Sequence, residues 1–444
     1  MKEEKGLGWL YSNKLHLSMS WPPSSLAGGA SALISVAIIT ILFLNCWWFL
    51  ALPPQPNQPL LASTESGNDS IASNPDLNWT ADVNDGIVDH PKENVQSEDP
   101  LRTASELCDL SSGEWVRDRS PPLYTNNTCP FIQLSQNCLL NGRPDRGYLQ
   151  WKWKPFDCEL PPFNAAHFLD LMRGKKLVFI GDSLARNHMQ ALQCSLTQVE
   201  EPLNLYSDPK DKEYKWLFPC YNFTLTNFWS PFLVNYTVEH DIYKLNLDVP
   251  ERVWSSQLAE YDIAIVSTGY WYFRKSVYHV NNTILGASPR SGLNVTRMEM
   301  LSALRIVLAN VLKHIRTEYK GITMLRTVTV DHFEHGTWSH GGVCNRTTPF
   351  SHHQDGGIPP IPWMNNEINK VQIEEFEKAM ALVSDTSKLK LINVTYSAYL
   401  RPDGHPGPYR IRQPNEPPND CLHWCLPGPI DMWNQLVLHI LQHR

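Results

Sequence analysis

Several patterns that assign a function to many chains are missing from this one. Its 444 residues carry a net charge of -7, so the chain offers no basic surface suited to nucleic acid. It contains no C-x-x-C pair and no H-E-x-x-H motif, the spacings that typify zinc sites. A glycine-rich phosphate loop is missing too, which removes the usual sign of a nucleotide-bearing substrate but decides little by itself.

Charge is absent from one long stretch near the N-terminus. Residues 26–52 include ALISVAIITILFLNCWWFLAL, an apolar run long enough to span a bilayer, with Trp47 and Trp48 at the interface position. Lysines precede the run and the first charge after it is Glu65, so the positive-inside rule places the tail 1–25 in the cytosol. The sequence therefore predicts a single-pass signal-anchor protein whose remaining residues are lumenal. A cleavable signal peptide, the alternative, would have a shorter apolar core followed by small residues.

Sequons and cysteines agree with a lumenal location. The N-x-Ser/Thr acceptors all lie beyond the apolar run: Asn68, Asn78, Asn126, Asn222, Asn235, Asn281, Asn294, Asn345 and Asn393. Of the ten cysteines, Cys46 lies inside the run, and four crowd between Cys108 and Cys158, which predicts a disulfide framework in an oxidising lumen. Nine cysteines follow the run, an odd number, so at least one is expected to be unpaired or intermolecular. Cys220, which stands alone in its region, is the candidate.

Composition divides the rest of the chain into three parts. Residues 53–105 are rich in Pro, Ser, Asn and Asp, which predicts a disordered stem. Residues 106–163 combine turn residues, aromatics and cysteines, which predicts a small disulfide-tied subdomain. Residues 164–444 alternate buried strands with amphipathic helices, and this alternation predicts an α/β domain with a mostly parallel sheet covered on both faces. The predicted strands are 177–180, 261–269, 321–330 and 389–396. The predicted helices start at Leu184, cover 300–315 and 373–383, and start again at Pro429. An aromatic insert at 200–255 fits no simple crossover and is expected to wall a groove.

The most informative stretch is 175–194, KKLVFIGDSLARNHMQALQC. A short apolar run, the turn Gly181-Asp182-Ser183 and a helical pattern place Ser183 between the carboxyl end of a strand and the start of a helix. Active sites of parallel sheets lie at that edge. Unsatisfied N–H groups and the positive helix end would stabilise an oxyanion formed on this serine. The alternative interpretation is a simple helix cap.

A partner for the serine stands just before the last helix. Asp420 and His423 share one short loop, close enough for the carboxylate to orient the imidazole. The chain order Ser, Asp, His is used by serine hydrolases of the α/β type. In that interpretation His423 takes the proton of Ser183 and Asp420 fixes the histidine tautomer. In the alternative, Asp420 caps the loop and His423 packs.

Several motifs between residue 106 and the C-terminus match one known family. They are Gly113-x-Trp115-Val116, Cys129-Pro130-Phe131, Asn141-Gly142-Arg143-Pro144-Asp145, Gly181-Asp182-Ser183, His332-Phe333-Glu334 through Gly341-Gly342-x-Cys344, and Asp420-x-x-His423. On these motifs the chain resembles the plant trichome birefringence-like proteins, Golgi polysaccharide O-acetyltransferases of the PC-esterase group related to SGNH/GDSL esterases. The resemblance implies a three-layer SGNH-like fold, a Ser183-His423-Asp420 triad and an acetyl-serine intermediate.

The resemblance also implies substrates and a location. The acceptor is expected to be a cell-wall polysaccharide, xyloglucan or mannan in preference to xylan, and the donor acetyl-CoA or another acetyl carrier. The protein is expected in the Golgi membrane with its catalytic domain lumenal, with no bound cofactor. The competing functions are an acetylesterase with the same residues, and a glycan-binding wall protein without catalysis.

Further site residues are predicted around the serine. Besides the Ser183 amide, the candidate oxyanion donors are the Gly269 N–H and Asn187. The candidate substrate-binding residues are Arg186, Trp271, His332 and Trp338, for which a solvated charge or core packing is the alternative. His332 belongs to the cluster 331–335, where a metal site is disfavoured because the segment follows a strand, and a loop lining the acceptor groove is preferred.

Overall fold

The computed structural model describes residues 109–443, apart from 211, 353–355 and 412–416. The predicted cytosolic tail, the apolar segment 26–52 and the stem 53–105 lie outside the described residues. In the described part of the chain, no helix combines the length and the apolar composition needed to cross a bilayer.

The described residues form short strands and mostly longer helices. The strands are β1 (Gly113–Arg117), β2 (Trp151–Pro155), β3 (Lys176–Gly181), β4 (Leu203–Ser207), β5 (Tyr214–Phe218), β6 (Phe223–Trp229), β7 (Val234–Glu239), β8 (Ile242–Pro250), β9 (Ile263–Val266), β10 (Ser276–Val280), β11 (Thr283–Ala287), β12 (Ile322–Arg326) and β13 (Leu389–Ile392). The helices are α1 (Ala165–Leu171), α2 (Ser183–Leu196), α3 (Arg252–Ser255), α4 (Met300–Glu318), α5 (Trp363–Met380), α6 (Thr395–Tyr399) and α7 (Asp431–Gln442).

A seven-stranded sheet, in the order β13-β12-β9-β3-β6-β5-β4, carries the main core. Its strands from β13 to β6 are parallel, and β5 and β4 extend it antiparallel. Successive side chains of β3 alternate between the faces: Leu177 and Phe179 enter one hydrophobic core, and Val178 and Ile180 enter the other. Helices α2 and α7 cover the first face, and α4 and α5 cover the second. The predicted α/β class is confirmed.

The aromatic insert forms strands that the sequence analysis did not predict. It supplies β4, β5 and β6 to the main sheet, and β7 and β8 to a separate four-stranded sheet in the order β11-β10-β8-β7. Two other boundaries were also wrong. Helix α5 begins at Trp363, well before the predicted start, and the strand predicted over 389–396 ends at Ile392 and is followed by α6.

Disulfides join the N-terminal segment to the larger domain. Cys129 bonds to Cys194 in α2, and Cys138 bonds to Cys425 in the loop before α7. A third bond joins Cys344 to Cys421. The prediction that Cys220 is unpaired was wrong, since Cys158 and Cys220 are also disulfide-bonded. Isolation in sequence was a poor guide because bond partners depend on the folded distance between cysteines.

Candidate active site

The turn after β3 presents Ser183 at the carboxyl edge of the main sheet. Asp182 is the N-cap of α2 and accepts the Leu184 N–H at 2.9 Å, so Ser183 becomes the first helical residue. Gly181 permits a close approach between β3 and β9, because a Cβ there would lie 2.4 Å from the Ser267 carbonyl oxygen. The hydroxyl of Ser183 therefore stands at a helix N-terminus, where backbone N–H groups lack intrahelical partners.

A buried arginine lies beneath this turn. Arg326 donates from one Nη to Ser267 Oγ at 2.6 Å and from the other to the Thr327 carbonyl at 3.0 Å. Burial lowers the pKa of Arg326 to about 10, which leaves the guanidinium charged near neutral pH. Burial raises the pKa of Asp182, and the Arg326 charge opposes that rise. The arginine thus stabilises an ionised cap directly before the serine.

The structure brings Ser183, His423 and Asp420 into one hydrogen-bonded chain. His423 Nε2 is 2.7 Å from Ser183 Oγ, across a sequence separation of 240 residues. His423 Nδ1 is 2.8 Å from Asp420 Oδ2. The other oxygen of Asp420 accepts the backbone N–H groups of Leu422 and His423, at 3.1 and 3.0 Å. One carboxylate therefore both shapes the loop and orients the imidazole.

Electrostatics keep Asp420 ionised. Burial by itself would raise its pKa, but the His423 charge and hydrogen bonds, together with Arg410, bring the pKa well below its usual range. Arg410 Nη1 lies 3.5 Å from Asp420 Oδ2, and both side chains are nearly buried. An ionised Asp420 accepts from Nδ1–H, which leaves Nε2 of His423 free to accept the Ser183 proton. Sequence reasoning missed Arg410, because no motif links it to the loop.

His332 does not line a surface groove, and that prediction was wrong. Its ring is buried, with Nε2 2.8 Å from the Tyr399 carbonyl oxygen and Nδ1 2.7 Å from His405 Nε2. The segment after β12 turns inward here, since the His332 N–H donates to the Cys421 carbonyl at 2.9 Å. His405, which sequence reasoning also missed, lies between His332 and the catalytic loop.

Asn187 does not point its amide at an oxyanion, so this prediction also needs correction. The side chain is fully buried, and its Nδ2 donates to Gln136 at 3.1 Å and to the Trp424 carbonyl at 3.4 Å. Its Oδ1 accepts the Trp424 N–H at 2.8 Å. These bonds use both amide hydrogens, so Asn187 instead ties α2 to the residue that follows His423.

The other predicted residues lie in different surroundings. Gly269 follows β9, the parallel neighbour of β3, and precedes a short turn of 3-10 helix. The Arg186 guanidinium lies 5.9 Å from the ring centroid of Trp229, which is opposite Gly181 in the β3–β6 register. Trp271 packs edge-to-face on Trp229 at 5.4 Å. Trp338 lies on a surface loop and is 51% exposed.

The cluster 331–335 provides no preformed metal site. Glu334 forms a salt bridge with Arg346, and the ring of His340 bonds to Ser339 and Thr337. Across the described residues, no three His, Cys, Asp or Glu side chains are grouped so that they could hold a metal ion.

Comparison with known proteins now assigns the chain to a family. A model described as the GDSL/SGNH-like acyl-esterase family found in Pmr5 and Cas1p matches residues 160–440. The chain belongs to this acyl-esterase family. A second model, the PMR5 N-terminal domain, matches residues 106–159. The first match spans the main sheet, Ser183 and the Asp420–His423 loop.

Relatives within the acyl-esterase family cover most of the chain. Protein trichome birefringence-like 25 of Arabidopsis thaliana is 43% identical over 361 residues, which are 77% of this chain and 78% of the relative. Xyloglucan O-acetyltransferase 4 of Populus trichocarpa is 40% identical over 346 residues, 76% of this chain and 81% of the relative. Xyloglucan O-acetyltransferase 1 of Arabidopsis thaliana is 38% identical over 348 residues, which are 76% of this chain and 80% of the relative. The resemblance to trichome birefringence-like proteins is confirmed.

Proposed function

We propose that this protein is a polysaccharide O-acetyltransferase that moves an acetyl group through acetyl-Ser183 onto a hydroxyl of xyloglucan. The observation that carries the proposal is the 2.7 Å contact between His423 Nε2 and Ser183 Oγ, backed by an ionised Asp420. The choice of acceptor is supported by the relatives named xyloglucan O-acetyltransferases. The proposal includes a three-layer SGNH-like fold for the main domain, as expected of the acyl-esterase family.

The first half-reaction acylates the serine. Ser183 Oγ attacks the carbonyl carbon of the acetyl donor while its proton passes to His423 Nε2. Asp420 stabilises the imidazolium that forms, without taking its proton. The oxyanion accepts hydrogen bonds from the backbone N–H groups of Ser183 and Gly269, in the turns that follow β3 and β9. His423 then protonates the leaving group as the C–O or C–S bond of the donor breaks, and acetyl-Ser183 remains.

The second half-reaction transfers the acetyl group to sugar. A hydroxyl of the polysaccharide gives its proton to His423 Nε2 and attacks the acetyl-serine carbonyl. The tetrahedral intermediate collapses with return of the proton to Ser183 Oγ. The half-buried Arg186, Trp229 and Trp271 lie near this edge of the sheet and offer stacking and hydrogen-bonding surface for a sugar chain. Water in place of the sugar hydroxyl would make the same residues an acetylesterase.

The cellular setting is part of the proposal. The apolar run at 26–52 anchors the protein in the Golgi membrane as a single-pass type II protein, and the stem carries the catalytic domain into the lumen. The disulfides of the described residues are consistent with an oxidising compartment.

A transfer assay with Ser183→Ala tests the function. We expect the full-length protein to move label from an acetyl-labelled activated phenyl ester, or from acetyl-CoA, onto xyloglucan oligomers, and Ser183→Ala to lose this activity by at least a thousandfold, the order seen when a triad nucleophile is removed. The matched control is Ser302→Ala, an exposed serine on α4, which should transfer normally.

The products separate transferase from esterase. Label on sugar that depends on Ser183 supports the transferase. Release of free acetate at the same rate with and without any xyloglucan, xylan, mannan or pectin oligomer would favour the esterase. Normal transfer by Ser183→Ala would reject the proposed nucleophile.

A further inference from the structure

Two buried histidines lie directly behind the loop that carries His423. His405 Nδ1 is 2.7 Å from the His423 carbonyl oxygen, and His332 Nε2 is 2.8 Å from the Tyr399 carbonyl oxygen. The two rings also face each other, with His332 Nδ1 2.7 Å from His405 Nε2. Their exposed fractions are only 8% and 3% for His332 and His405. The proposed reaction does not use either ring.

Hydrogen-bond chemistry fixes the number of protons on this pair. A carbonyl oxygen only accepts, so the two outer nitrogens, His405 Nδ1 and His332 Nε2, must both carry protons. A neutral imidazole has a single N–H, which would leave the two inner nitrogens as bare acceptors 2.7 Å apart. A contact that short requires a proton between the nitrogens. All three contacts are satisfied only with three protons on the four nitrogens, one more than two neutral rings carry.

Nearby charges act on the histidine pair in both directions. The carboxylates of Asp420 and Glu334 favour a proton on the pair, and the Trp424 ring stacks on His405 at 4.3 Å, a geometry that suits a cation. Arg143 and Arg346 oppose the charge. The charged side chains on the elements packed around the two histidines form ion pairs with one another: Arg143–Asp145, Arg346–Glu334, Arg401–Asp403 and Arg410–Asp420.

Burial and mutual repulsion act against positive charge on the pair. Burial lowers the pKa of His405, and the charge on His332 lowers it further. Burial likewise lowers the pKa of His332. Protons on such a pair belong to both rings together, so burial opposes even a single extra proton, and the three hydrogen bonds must retain the shared proton against that cost.

We propose that His405 and His332 share one extra proton and act together as positioning residues for His423. His405 Nδ1–H donates to the His423 carbonyl, and the shared proton forms the hydrogen bond between His405 Nε2 and His332 Nδ1. His332 Nε2–H donates to the Tyr399 carbonyl. Loss of the shared proton turns one of these contacts into a repulsion between acceptors, which loosens the loop and slows acyl transfer. The positioning role rests on the proposed function, whereas the proton count stands apart from it.

Nitrogen-15 NMR counts the protons directly. In full-length protein labelled with 15N-histidine at neutral pH, we expect the pair to show a single unprotonated nitrogen. Signals are assigned by their disappearance in His332→Gln and His405→Gln, each checked for folding by thermal unfolding, and by through-bond correlation in the wild type if a variant does not fold. Two unprotonated nitrogens in the folded wild type overturn the proposal. Since no turnover is involved, this result is independent of the acetyltransferase assay.

The pH dependence of acyl transfer tests the positioning role. We expect wild-type kcat to fall on the alkaline side as the shared proton leaves. The amide of His405→Gln can donate to the His423 carbonyl at every pH, so this variant should keep most of its activity and lose the alkaline fall. His405→Ala should lose roughly tenfold in kcat, the effect of one missing hydrogen bond, with little change in KM.

The matched control is His314→Gln, a half-buried histidine that packs on Trp254 far along α4. Its profile should follow that of the wild type. An unchanged alkaline limb in His405→Gln, or full activity in His405→Ala, contradicts the positioning role.

Discussion

Asp420 makes more contacts than the orientation of His423 requires. It accepts from the imidazole and from two backbone N–H groups of its own loop, and it faces Arg410. The loop conformation and the histidine tautomer therefore depend on the same charge. Removing that charge should affect both stability and chemistry, in ways that differ with pH.

We expect Asp420→Asn to lower kcat by roughly three to four orders of magnitude, because an amide no longer fixes the Nδ1–H tautomer. The folded-state pKa of Asp420 lies below its unfolded value. Its ionised form therefore stabilises the fold above the unfolded value, about 3.9, and that stabilisation is lost as the pH falls toward the folded value. The stability gap between wild type and variant should narrow on acidification from about pH 5.

Thermal unfolding between neutral and acidic pH measures this gap. The control is Asp170→Asn, an exposed carboxylate on α1 whose partner Arg173 is also exposed, which should leave stability and kcat nearly unchanged. A gap that stays constant or widens as the pH falls would show that Asp420 is not held ionised by the fold.

Local pattern predicted the serine and the Asp-x-x-His loop, but not the residues that support them. Ser183 was found because strand, turn and helix follow one another directly in sequence. Arg326, His405 and Arg410 act through contacts that form only when distant segments of the chain meet. The spacing of residues in the sequence does not indicate such contacts. His332 was misjudged for the same reason: Asp331 and Glu334 near it in sequence are polar, while its neighbours in the fold are Tyr399 and His405.

At the scale of elements, the loop before α7 is fixed at several points. Cys421 and Cys425 bracket His423, and they bond to Cys344 and Cys138. Asn187 adds hydrogen bonds from α2 to Trp424 in the same loop. The loop that carries the proposed base is thus tied to the N-terminal segment, to α2 and to the segment after β12.

Replacing individual disulfides should separate stability from catalysis. We expect Cys138→Ala/Cys425→Ala and Cys129→Ala/Cys194→Ala each to lower the free energy of unfolding by about 2–5 kcal/mol. Only the first pair should also lower kcat in the folded protein, because Cys425 lies in the loop that positions His423.

Denaturant unfolding and acyl transfer are measured on the same preparations. They give the free energy of unfolding and the kcat of each double variant for comparison. Equal kcat values for the two folded double variants would mean that the Cys138–Cys425 bond does not hold the catalytic loop.

Apolar runs predicted strands β3, β9, β12 and β13 of the main sheet, but no local pattern predicted the strands β4 to β8 of the aromatic insert. Strand β3 and helix α4 follow from continuous apolar runs or a long 3.6-residue repeat. Strands β7 and β8 lie in an insert where Phe232, Tyr236 and Tyr243 pack edge-to-face or tilted across a second sheet. Such packing depends on which strands pair, and pairing is not encoded in local alternation alone.

At the scale of the molecule, the N-terminal segment supports the C-terminal loops. Trp115 Nε1 donates to the Ser397 carbonyl at 2.8 Å, and Tyr124 donates to Asp431 at 2.7 Å. Arg143 donates to the carbonyls of Asp403 and His405, at 2.6 and 2.9 Å. The PMR5 N-terminal domain and the esterase domain are therefore joined by buried and partly buried hydrogen bonds as well as by disulfides.

The most direct test of the central claim is a search for the acyl-enzyme. Full-length protein is mixed with an activated phenyl acetate ester without polysaccharide, quenched in acid and digested, and the peptide containing Ser183 is examined by mass spectrometry. The account predicts one added acetyl group on Ser183, which disappears when xyloglucan oligomers are added and reappears on the sugar. Acetylated sugar formed while Ser183 never carries an acetyl group would contradict it.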